Sequence, residues 1–139
     1  MFLFRVINLY PAKMNLDYID NINEYGDNIV RLYDFDKAQA EKFRQAIQQT
    51  IITNKKQLDL TTLDFIQARN CNLILRISAE DEGISTSDKI NFFCDLTTKG
   101  YEQMLTLLEP FCKKETKGYQ WLYDIDSQTD FLFSPGGTW

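Results

Sequence analysis

The 139-residue chain contains no histidine. That absence removes the one side chain that titrates near neutrality, and with it every mechanism built on an imidazole base or ligand. Proline and glycine are scarce, at three and six. The prolines stand at 11, 110 and 135, and no linker or internal repeat divides the sequence. Residues 1–139 are therefore expected to form a single domain. No apolar run approaches the ~18 residues of a membrane-spanning helix. Positive charge is also short. Fifteen Lys and Arg against twenty Asp and Glu leave a net charge of −5, which argues against a nonspecific nucleic-acid partner.

Cysteine is limited to Cys71, Cys94 and Cys112. The number is odd and the spacings match no zinc or redox motif. Each Cys lies in an apolar stretch and reads as a small buried hydrophobe. There is no Asn-x-Ser/Thr glycosylation acceptor. The start, Met1-Phe2-Leu3-Phe4-Arg5-Val6-Ile7, lacks the basic lead and unbroken apolar core of a secretory signal. It reads as a first β-strand. Together these features predict a cytoplasmic protein.

Two helices are signalled. Asp36 and Gln39 have the spacing of a capping box, and Ala40, Phe43, Ile47 and Ile51 follow as one apolar stripe, predicting a helix over about 37–53. Thr97 or Thr98 starts a second, over about 98–109, with Tyr101, Met104, Leu105 and Leu108 on its buried face. Pro110 is expected to end or kink it.

Period-two alternation marks strands at 73–78 and 90–96, joined by the polar stretch 79–88, which reads as a hairpin loop. Further strands are expected at 28–34, 57–60, 63–69, 119–125 and 129–134. Residues 11–27 are ambiguous. Leu16, Ile19, Ile22 and Tyr25 have the spacing of a short helix ending at Gly26, although the Asn and Asp residues between them oppose it. The fold class predicted is α+β: an antiparallel sheet of about 6–8 strands with two main helices packed on one face.

Candidate chemistry is sparse. No Ser-x-x-Lys occurs, and a cysteine nucleophile would have no base. Residues 37–56 carry five basic groups and one acidic, a patch that reads as a solvated helix face before a phosphate site. Asp124, Asp126 and Asp130 form an oxygen-ligand cluster, but an EF-hand spacing counted from Asp124 puts Gln128, Thr129 and Pro135 where an acidic residue or Asn, Gly and Glu belong. Glu80, Asp81, Glu82 and Asp88 form a second acidic cluster. Pro135-Gly136-Gly137 has no following helix and so makes no phosphate cradle; it reads as a turn returning Trp139 to the body. No cofactor or metal is expected.

Aromatics are abundant: ten Phe, seven Tyr and two Trp. Tyr119, Trp121 and Tyr123 alternate and are expected on one strand face, as are Phe131 and Phe133. Tyr and Trp are common interface anchors. The leading expectation is a non-enzymatic binding protein. Its surface would combine Tyr119, Trp121 and Tyr123 with Glu80, Asp81, Glu82, Asp88, Asp124, Asp126 and Asp130, and its partner would be a basic protein. In size, charge and compartment the chain resembles bacterial immunity proteins, which neutralise a cognate toxin; no motif carries that resemblance. The runner-up is a small enzyme using carboxylates and Mg²⁺ or Ca²⁺. The third reading is an oligomeric module, such as a homodimer, without ligand.

Overall fold

The structure, a computed structural model, describes residues 12–125 and 128–136. The N-terminal strand expected at 1–7 and the returning Trp139 lie outside them. The described residues form nine strands and two α-helices. The strands are β1 (Met14–Ile19), β2 (Asn28–Tyr33), β3 (Leu58–Asp59), β4 (Ile66–Ala68), β5 (Asn72–Ile77), β6 (Gly83–Thr86), β7 (Asn91–Leu96), β8 (Gln120–Tyr123) and β9 (Thr129–Ser134). The helices are α1 (Lys37–Ile47) and α2 (Thr98–Lys113). No helix is long and apolar enough to cross a membrane among the described residues.

The α+β class holds, but the single antiparallel sheet does not. The strands divide into a five-stranded sheet of order β4-β1-β2-β9-β8 and a four-stranded sheet of order β3-β5-β7-β6. Both are mixed. β1 and β2 pair antiparallel, while β2–β9, β1–β4 and β5–β7 are parallel. Alternation in a sequence reports which face a residue occupies, not which strand lies beside it, so the parallel pairings carried no signal.

The stretch 79–88 is accordingly not a hairpin loop. It contains β6, which pairs antiparallel with β7, and β7 returns between β5 and β6. The ambiguous segment is also resolved. Met14, Leu16 and Tyr18 point to the core from β1, and the helix suggested by Leu16, Ile19, Ile22 and Tyr25 does not form. The Asn70 side chain supports this strand. Its amide donates to the Tyr18 carbonyl at 2.9 Å and its oxygen accepts the Tyr18 N–H at 2.8 Å, one extra rung beyond β4.

Helix α1 begins at the expected capping box: Gln39 N–H donates to Asp36 Oδ1 and Asp36 N–H to Gln39 Oε1, at 2.8 and 3.0 Å. Ala40, Phe43, Ile47 and Ile51 are all fully buried. The helix continues with a wider π repeat over Gln48–Thr53. Thr97 caps α2, its Oγ1 accepting the Gly100 N–H at 3.0 Å. Pro110 does not end this helix, which runs on to Lys113. The carbonyl that Pro110 leaves without a donor belongs to exposed Thr106, on the solvent side, and buried Phe111 ties the last turn to the core.

One apolar cluster joins all these elements. Phe133 on β9 is its centre, with ring centroids 4.1 Å from Phe35, 5.9 Å from Phe43 and 5.2 Å from Phe111. Tyr101, at the other end of α2, directs its hydroxyl at the carbonyls of Arg76 and Cys94, 2.8 and 2.7 Å away. Helix α2 thereby ties one sheet to the other. Tyr18 and Phe92 join the sheets directly, ring centroids 4.6 Å apart.

Candidate functional site

The face of the five-stranded sheet turned away from the shared core follows from the register, and Ile29 and Leu132 on it are fully buried. Asp17, Arg31, Leu132 and Trp121 form one row across β1, β2, β9 and β8. Ile29 and Asp130 form the next row with Ile19. Arg31 closes a bidentate ion pair with Asp17 and lies 3.9 Å from the Tyr33 ring centroid.

One end of this sheet gathers acidic groups from separate parts of the chain. Asp27 precedes β2, Asp124 follows β8, and Asp130 is the second residue of β9. Asn28 N–H donates to the Gln128 carbonyl at 3.1 Å, which holds the two loops side by side. The Asp130 carboxyl is pushed up to about 6, first by burial and then by repulsion from Asp124 and Asp27. Its Oδ1 is buried and has no hydrogen-bond partner among the described residues. The same end carries two large exposed apolar side chains, Tyr25 at 80% and Ile125 at 64% of full exposure. Asp20 and Glu24, also exposed, extend the negative charge along the β1–β2 loop.

The residues singled out in the sequence fall into several places. Tyr119 is 48% exposed and packs edge-on against half-buried Trp121, centroids 6.1 Å apart. Tyr123 leaves their face. A bulge between Trp121 and Tyr123 sets Trp121 opposite Leu132 but Tyr123 opposite Phe131, on the core side. An extra residue in one strand breaks period-two alternation, so the expected three-ring stripe is a pair. The Tyr123 hydroxyl instead donates to the Asp81 carbonyl at 3.3 Å.

The second acidic cluster does not converge. Glu82 and Asp88 lie at opposite ends of β6, roughly 13 Å of strand apart. Asp81 is tied to the fold: its Oδ1 accepts from the Thr97 N–H at 2.8 Å and the Thr97 hydroxyl at 2.9 Å. Asp88 is held below the usual carboxylate range by the N–H groups of Asn91 and Ile90, which it ties into the β6–β7 turn. Glu80 and Glu82 are exposed. Asp126 lies outside the described residues. Among the described residues, no group of three His, Cys, Asp or Glu is placed to hold a metal ion.

The thiols are inert at neutral pH. Burial pushes Cys71 and Cys94 up to about 12 and Cys112 to about 11. The basic stretch on α1 is partly neutralised within the helix, where Arg44 holds the Glu41 carboxyl down to about 2.

The sequence reading missed Tyr25, Ile125 and Asp27. A usable signal was present: a large apolar residue inside each of two otherwise polar loops, Asn23-Glu24-Tyr25-Gly26-Asp27 and Asp124-Ile125. No protein-family model matches the chain, and no curated protein matches its sequence.

Proposed function

We propose that the protein is a non-enzymatic binding module that takes a basic protein partner on the acidic end of its five-stranded sheet. The observation that carries this reading is the convergence of Asp27, Asp124 and Asp130, with no cation beside Asp130 among the described residues, next to exposed Tyr25 and Ile125. Clustered like charge costs the free protein stability, and a cationic partner relieves that cost. An exposed ring and an exposed branched aliphatic chain inside a negative rim have the makeup of an interface centre. Tyr119 and Trp121 extend apolar surface along β8.

An immunity-type inhibitor that neutralises a cognate basic toxin or enzyme is the form of this function we favour. Such a protein needs fast association with a charged target, which a dense negative surface supplies by steering. It needs no catalytic group of its own.

The test is affinity capture from native lysate, using the wild type beside an Asp27→Lys/Asp124→Lys variant. We expect a basic protein to be retained in stoichiometric amount by the wild type at low salt. It is lost at high salt and absent from the variant. Equal capture by both forms contradicts this placement of the interface.

A further inference from the structure

A cleft of about 390 Å³ opens where the two sheets meet, between β6 and its following turn on one side and β1, β2 and β9 on the other. That volume is within the usual range for small-molecule sites. Its lining is polar almost throughout, with Ile84 the apolar exception beside the Tyr18 ring. The ring is fixed by its contact with Phe92.

The lining chemistry is specific. Among the described residues, no carboxylate lines the cleft. Lys89 is the one charged side chain among the described lining residues. One cation among so many neutral polar groups leaves the lining chiefly a hydrogen-bonding surface. The hydroxyls of Tyr18, Ser85 and Ser87 and the amide of Gln128 both donate and accept, while Asn28 Oδ1 already accepts the Asn21 N–H at 3.1 Å. Thr86 is already committed, since its Oγ1 donates to the Asn91 carbonyl at 2.7 Å and accepts the Lys89 N–H at 3.0 Å. Those bonds hold Lys89 in the left-handed backbone region, φ 60°, which a non-glycine residue adopts only when its surroundings enforce it. The rim of the cleft is thus a built turn that presents Ser87 and Lys89.

We propose that this cleft binds a neutral, hydroxyl-rich small molecule of monosaccharide size. Two-way hydrogen-bonding groups around a small apolar floor match a sugar ring, whose hydroxyls also donate and accept and whose C–H face is apolar. The cleft adjoins the acidic end, since Asn28 and Gln128 bond to each other there, but the sugar proposal does not depend on that reading.

The experiment is a ¹H–¹⁵N NMR titration of the full chain with glucose, galactose, N-acetylglucosamine and, separately, inorganic phosphate. Concentrations should reach about 50 mM, since a site of this size and polarity is expected to bind on the order of millimolar. We expect saturable shifts at the amides of residues 84–89 and 128–129 with at least one sugar. Gln128→Ala and Ser85→Ala, both at exposed positions, should each weaken that binding about fivefold with the rest of the spectrum unchanged. Absence of saturable shifts with every sugar overturns the proposal. So does tighter binding of phosphate at the same amides, or sugar binding that both variants leave intact.

Discussion

Asp17 and Arg31 face each other across β1 and β2 and close two hydrogen bonds, Nε to Oδ1 at 2.7 Å and Nη2 to Oδ2 at 3.1 Å. The other sheet repeats the device. Arg76 and Asp95 face each other across β5 and β7, with bonds of 2.7 and 2.8 Å, and Arg76 lies 4.1 Å from the Phe93 ring centroid. Both pairs sit on the sheet faces turned away from the shared core.

The two pairs differ in burial, so they should differ in worth. The Arg31 side chain is 16% exposed and the Arg76 side chain 40%. Asp17→Asn keeps the shape but removes the charge-assisted bonds, and should cost about 2 kcal/mol. Asp95→Asn should cost about 1 kcal/mol, because water screens the more exposed guanidinium. Urea unfolding of both variants checks the order. Equal losses would mean that exposure does not set the difference.

Asp130 makes stability depend on pH in a defined direction. Its carboxyl is raised from an ordinary 3.8 to about 6 in the folded chain. The folded state therefore holds the proton more tightly than the unfolded state. The resulting contribution is full below pH 3.8 and is lost as pH rises through about 6. Asp130→Asn removes this slope. The variant should be more stable than the wild type above pH 7 by about 1 kcal/mol, the repulsion being partly screened by solvent. Parallel stability curves for the two proteins from pH 4 to pH 8 would contradict the account.

The 80–82 loop should separate into a structural residue and free ones. Asp81→Ala removes the acceptor of the Thr97 N–H and hydroxyl and should cost about 1 kcal/mol. Glu80→Lys and Glu82→Lys change exposed side chains and should leave stability within about 0.5 kcal/mol. Thermal melts of the three variants decide this.

Tyr101 is fully buried, and its hydroxyl bridges α2 to two carbonyls of the four-stranded sheet. Tyr101→Phe leaves the ring in place and should cost about 1–2 kcal/mol. A loss below about 0.3 kcal/mol would show that the bridge is not part of what holds helix to sheet.

Much of the local structure was legible in the sequence. The Asp36–Gln39 box and the stripe from Ala40 to Ile51 are local, i-to-i+4 features, and both stand as read. The alternation read at 73–78 and 90–96 likewise gives strands, β5 and β7, although Ile77 at the end of one and Ile90 just before the other are exposed. What failed was nonlocal. β2 and β9 are neighbours about a hundred residues apart in the chain, and nothing in either strand names the other. Leu16 and Ile19 satisfy a helical spacing as well as the strand they form. The Trp121–Tyr123 bulge is one residue long and leaves no composition signature. The acidic end was visible only in part, because Asp124 and Asp130 are close in sequence while Asp27, Tyr25 and Asp20 reach them through the parallel β2–β9 pairing.

The most direct test of the acidic end is the association rate of the captured partner, measured against ionic strength for the wild type and for Asp27→Lys/Asp124→Lys. A steered interface predicts a wild-type rate that falls about tenfold or more between low and high salt, and a variant already slow at low salt. A wild-type rate that does not change with salt, or a variant that associates as fast as the wild type, would contradict it.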